Sequence, residues 1–219
     1  MGEILTEGRD FVGDQLPTAA GPTPFQAFAD AGPLPHVPGG FGVVYADPPW
    51  PFRTRSPKGN GRSPEGRGHY RTMGLDAIRS LPVGEVAAAD SVCILWTTNE
   101  QLANAQAVLA AWGFAYKTLA FVWAKTTVAG ALPGPIGLGF WTRSGAEVAL
   151  LGTRGRPRRL SRGVRQVILG PRREHSRKPD EAYDQIEALV GGPYLELFAR
   201  ERRPGWHAWG DQLPAEGPA

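Results

Sequence analysis

Apolar residues along this chain fall into short runs that alternate between two periods. Phe41 to Ala46 is a continuous apolar, partly β-branched run halted by Pro48-Pro49, as expected of a strand buried on both faces. Val92 to Trp96, Lys117 to Ala124, Glu147 to Leu151, Val164 to Leu169, Tyr194 to Phe198 and Trp206 to Trp209 read as further strands. Between them the spacing becomes helical. Thr72 caps a predicted helix running through Ser80, and Glu100 to Trp112 puts Leu102, Ala105, Leu109 and Trp112 on one face before stopping at Gly113. Pro179 opens another helix, with Asp180 and Glu181 in its electropositive first turn and Tyr183, Ile186, Leu189 and Val190 as the inward stripe. A shorter helix is expected near Phe25 to Asp30. Strand and helix alternate, which predicts an α/β fold: a mostly parallel sheet with helices on both faces, taking ligands at the carboxyl ends of its strands.

Composition sets the outline of this domain. A chain of 219 residues, 42% hydrophobic, carries enough apolar material for one or at most two compact cores, and a single domain is expected. Residues 1–40 mix acidic residues with proline and glycine and read as an irregular lead-in, residues 41–213 as the domain, and residues 214–219 as a polar tail. The single Cys93 excludes an internal disulfide. No stretch has the pattern of a signal peptide, and no apolar run approaches the ~20 residues needed to cross a bilayer. A cytoplasmic protein with no membrane partner is therefore expected. His36, His69, His175 and His207 lie far apart and form no compact metal motif.

Charge is informative by position. The formal net charge is only +3, yet residues 53–72 hold six Arg or Lys against one Glu, and residues 154–178 hold ten against one. The remainder is therefore acidic. Two basic loops on an acidic body suit a protein that grips phosphates, so nucleic acid is the expected partner. In a sheet with one ligand edge, both loops are expected to rim one cleft.

Candidate chemistry gathers where the first strand ends, at Val43-Val44-Tyr45-Ala46-Asp47-Pro48-Pro49-Trp50-Pro51-Phe52. A flat, amino-bearing ring needs an aromatic face, which Trp50 or Phe52 offers, and in-plane acceptors, which Asp47 and a proline-preceding carbonyl supply. The prolines hold those carbonyls in one arrangement. As an exocyclic amine attacks a methyl group it gains positive character, and preorganised oxygens stabilise it. No glycine cluster is followed by G-K-S/T, which argues against kinases and ATPases, and Gly137-Leu138-Gly139 reads as a simple loop. Lys178 stands at a helix start, where the helix field opposes a cation, so it hints at an anionic partner: a ligand, Glu174 or Asp180. Glu147 reads as a residue that orients a neighbour.

The run Asp47-Pro48-Pro49-Trp50 resembles the signature of the MT-A70 family of adenine N(6)-methyltransferases. The resemblance continues in order through His69 to Met73, Leu95 to Thr98, Phe121 to Lys125, Gly145 to Glu147, His175 to Asp180, Glu196 to Arg200 and Gly210 to Leu213. It implies a single Rossmann-like methyltransferase domain that uses S-adenosylmethionine. By position, it implies that Asp47, Pro48, Pro49 and Trp50 form the adenine-methylating centre, with Tyr70 closing over the base. Lys178 would meet the cofactor carboxylate and Glu196 the ribose hydroxyls. Arg200 and Arg203 would lie beside the cofactor, and Asp211 and Gln212 near its adenine, although the family usually has an amide where Asp211 stands. Two other readings stay open: a catalytically silent nucleic-acid-binding partner subunit, and a methyltransferase acting on the amino group of cytosine. Duplex DNA, single strands and RNA are all possible substrates, with DNA favoured.

Overall fold

A computed structural model describes residues 31–51, 72–131, 141–171 and 177–214. The expected helix at Phe25 to Asp30, the aromatic Phe52, Tyr70, His69, His175 and nearly all of the first basic loop lie outside the described residues.

Seven strands form one sheet: β1 (Phe41–Ala46), β2 (Ala87–Thr97), β3 (Ala115–Thr126), β4 (Ala146–Arg154), β5 (Val167–Pro171), β6 (Tyr194–Leu197) and β7 (Trp206–Trp209). Their order is β5-β3-β4-β2-β1-β6-β7. β4 alone runs antiparallel to its neighbours, β2 and β3, and every other pairing is parallel. The α/β expectation therefore holds.

Alternate residues feed two separate cores, as the two-residue period of a strand requires. Val44, Ala46, Cys93, Leu95, Leu195 and Leu197 pack with α1 (Leu75–Arg79), α2 (Val83–Val86) and α3 (Leu102–Ala111) on one face. Val43, Tyr45, Val92, Ile94 and Trp96 pack against Ala182 and Ile186 of α4 (Glu181–Leu189) on the other. Helices preceding β3 thus lie on one face and the helix preceding β6 on the opposite one. The connections change face beside β1 and β6, and a crevice opens there at the carboxyl ends of the strands.

The first predicted helix is shorter than expected. It starts at Leu75 behind Gly74, with no side-chain cap. Thr72 does not cap it, because the adjacent Met73 is drawn back to donate its N–H to the carbonyl of Pro49 at 2.8 Å. The predicted stripe on α3 is inward, with Ala105, Leu109 and Trp112 buried and the Trp112 indole donating to the Ile78 carbonyl at 2.9 Å. Trp206 and Trp209 pack in the two cores. Among the described residues no helix is long and apolar enough to cross a membrane.

Candidate active site

β1, β2, β3, β5 and β6 all finish at one edge of the sheet, and β4 starts there. The residues that follow β1 do not wander from that edge. The Trp50 N–H donates to the Pro48 carbonyl at 2.8 Å, Pro49 accepts from Met73, and Gln101 Nε2 donates to the Pro51 carbonyl at 3.0 Å. The half-buried Trp50 indole packs against the α1–α3 core and donates through Nε1 to the Trp96 carbonyl at 3.0 Å. The proline-rich tip is therefore fixed by proline geometry and by bonds from three other segments.

Beside it lies a solvent-open cleft lined by Asp47, Lys178, Glu196, Phe198 and Arg200 among others. Asp47, Lys178 and Glu196 were expected in one place on sequence, and the fold brings them together. Lys178 Nζ donates to Asp47 Oδ2 at 2.6 Å and lies 3.2 Å from Glu147 Oε2. The other oxygen of Glu147 accepts from Lys125 Nζ. The chain Asp47–Lys178–Glu147–Lys125 thus alternates in sign, and the anionic partners that hold Lys178 at a helix start are Asp47 and Glu147. Glu147 orients its neighbours, as expected.

Burial shapes the titration of Asp47, Glu147 and Lys178. It pushes the Asp47 carboxyl up, and Lys178 draws it only partly back. Glu147 is also desolvated, but Lys178 and Lys125 overcome this and hold it down at about 2. Burial disfavours the Lys178 ammonium, yet Asp47 and Glu147 raise its pKa above the ordinary lysine value.

Glu196, on β6, shares the cleft. Tyr183 of α4 donates its hydroxyl to Glu196 Oε1 at 2.8 Å. Desolvation, reinforced by Asp47 and Glu201, raises Glu196 to about 7 against the lowering effect of Tyr183. Next along the chain, Phe198 adopts φ 63°, the only positive value at a non-glycine residue among those described. That left-handed turn redirects the chain just after β6, ahead of the cleft-lining Arg200. Ala199 N donates to the Trp209 carbonyl at 3.0 Å. Gly210 comes so close that a Cβ there would sit 2.2 Å from the Ala199 carbonyl oxygen, so only glycine fits. Asp211 and Gln212 therefore follow directly beside Ala199 and Arg200, though they do not line the cleft itself.

Arg203 is engaged elsewhere. Its guanidinium pairs with Asp184 at 2.9 Å and lies 4.5 Å from the Tyr183 ring centroid, so it braces the tyrosine that contacts Glu196. Neither Lys125 nor Tyr183 was expected in the site on sequence. The first could have been found in the matching run Phe121 to Lys125, whereas nothing local marks the second.

The expected placement of the second basic loop needs correction. Because β4 is antiparallel, Arg154 stands at the opposite edge of the sheet, paired across from Ser91 near the start of β2. Arg159 then bridges to Val190 at the far end of α4, and Gln166 joins the middle of β3. Of this loop, among the described residues, only Arg177 and Lys178 reach the cleft.

The donor set fits S-adenosylmethionine: Lys178 and Arg200 for a carboxylate, Glu196 for a vicinal diol, and Asp47 for a cation. The model of the MT-A70 family matches residues 41–212. Type II methyltransferase M.MunI of Mycoplasma sp is 34% identical over 189 residues, covering 78% of this chain and 77% of that enzyme. The N(6)-adenosine-methyltransferase MT-A70-like protein of Drosophila melanogaster is 34% identical over 181 residues, and the N(6)-adenosine-methyltransferase catalytic subunit METTL3 of Homo sapiens 32% over 179. The alignments cover 81% and 80% of this chain but only 28% of each of those longer proteins. The chain belongs to the MT-A70 family of S-adenosylmethionine-dependent N(6)-adenine methyltransferases.

Proposed function

We propose that this protein methylates the 6-amino group of adenine in DNA. The observation that carries the reading is the meeting of Asp47, Lys178 and Glu196 in one cleft beside the proline-braced tip. S-adenosylmethionine supplies an electrophilic methyl group when bound. Glu196 holds the ribose hydroxyls, Lys178 receives the amino-acid carboxylate without leaving Asp47 and Glu147, and Arg200 adds a second cation. Asp47 and the Pro48 carbonyl accept from the exocyclic N–H groups of adenine. As the nitrogen becomes cationic these fixed oxygens favour the transition state. A strongly basic group is not needed, because the proton leaves only after positive charge has formed.

Tyr70 closes over the base in this reading, and Asp211 and Gln212 approach the cofactor adenine. In duplex DNA the target must leave its stack, at a cost of a few kcal/mol, before it reaches the tip. DNA is preferred because this chain matches M.MunI over 78% of its own length and 77% of that enzyme's.

Transfer of labelled methyl from S-adenosylmethionine to DNA and RNA, followed by nucleoside analysis with Asp47→Ala as control, tests this directly. Label in N(6)-methyldeoxyadenosine that vanishes in the variant is expected. Label confined to RNA overturns the DNA assignment, and methylcytosine overturns the base. Binding without label in either pool identifies a silent partner subunit.

A further inference from the structure

Arg156, Arg158, Arg159, Arg162 and Arg165 are all exposed, and among the described residues none of them makes an ion pair. The segment from 154 to 171 contains six arginines and no acidic residue. It is nevertheless held firmly. Asp90 Oδ1 accepts from the Arg156 backbone N–H at 2.7 Å, which uses that carboxylate on the main chain. Leu160 N donates to the Leu189 carbonyl at 2.8 Å, and Gln166 bonds to Leu119 and Val122 of β3. The arginines thus run from the edge opposite the cleft, across the end of α4, and up to the middle of β3. Nine residues of β4 separate the two edges, about 27 Å at the rise of a strand.

We propose that these five arginines form a phosphate-binding track, separate from the catalytic cleft, that holds the part of a nucleic acid flanking the methylated base. Fixed backbone with unpaired guanidinium groups lowers the ordering cost of binding, and an exposed segment rich in arginine and without acidic residues of its own suits a polyanion. The inference rests on the nucleic-acid reading given above. It adds that the substrate is contacted at two places, so length matters as well as sequence.

The test compares two labelled DNAs, of about 6 and about 30 nucleotides, by fluorescence anisotropy over a range of salt, using the full chain and the triple variant Arg158→Gln, Arg159→Gln, Arg162→Gln. For the long DNA the variant is expected to bind about tenfold more weakly, with a log-log salt slope shallower by about 2 to 3. The short DNA should bind equally to both, and its methylation rate should not change. Replacing the same three residues by lysine should restore most long-DNA affinity, which separates lost charge from lost structure. Equal slopes for the long DNA overturn the track, as does equal weakening of short and long DNA. Loss confined to anionic phosphatidylserine vesicles also overturns it. If neither DNA is methylated while the slope difference persists, the proposed activity fails and the track stands.

Discussion

Replacing Glu147 by Gln removes one carboxylate from between two ammonium groups while keeping its shape. Its side chain is 22% exposed, and those of Lys178 and Lys125 are 10% and 16% exposed, so water screens the trio only weakly. A carboxyl held at about 2 rather than the ordinary 4.5 corresponds to about 3 kcal/mol, at 1.36 kcal/mol per pH unit. The sign follows from linkage. The folded value is depressed, so this stability is fully present above pH 4.5 and is lost as pH falls toward 2. Glu147→Gln should therefore lose about 3 kcal/mol near neutrality, and the gap from the parent should close in acid. At a urea slope of about 2 kcal/mol per molar, the midpoint should fall by about 1.5 M. Asp76→Asn provides the reference, since that carboxylate is almost fully exposed and its loss should shift stability by less than about 0.5 kcal/mol. A Glu147→Gln midpoint no lower than that of Asp76→Asn, or a deficit unchanged between neutral and acid, would refute the view of Glu147 as the anionic keystone.

Four further outcomes are expected. Affinity for S-adenosylhomocysteine, measured by titration calorimetry, should rise as pH passes through about 7, because Glu196 is raised to about 7 and accepts from ribose best when ionised; Glu196→Gln should flatten the profile. The same raised value means that Glu196 favours the fold below pH 4.5 and that this benefit is lost as pH rises through about 7, so Glu196→Gln should not be less stable than the parent in mild alkali. Tyr183→Phe removes the 2.8 Å hydrogen bond that lowers Glu196, so the binding profile should move toward higher pH and affinity near neutrality should fall by about 1 kcal/mol. Gly210→Ala forces a methyl against the Ala199 carbonyl, and a thermal melt should show a loss of about 1–3 kcal/mol.

The bounds of β1 and β7 were legible because each apolar run is short and has prolines or glycines beside it. β2 begins earlier than its apolar run, at Ala87, because Ala87 pairs with Phe41 and the pairing supplies what the side chains do not. α2 has only four residues, too few to show a period. Strand direction is not a local property, and that is why the arginines after β4 were expected at the wrong edge. In the site, Asp47, Lys178 and Glu196 were legible from their motifs. Tyr183 was read as part of an inward stripe, yet its hydroxyl finds Glu196 across a fold that no spacing reveals. Arg203 acts on Tyr183 for the same reason.

The Trp50 indole hangs from the Trp96 main chain, and the Trp96 indole in turn donates to the Tyr45 hydroxyl at 2.7 Å, deep among the aromatic rings facing α4. The tip is thereby anchored through the thickness of the sheet to the opposite layer. It works as the stationary jaw of a vice. Any adjustment to what enters the cleft must therefore come from its other wall.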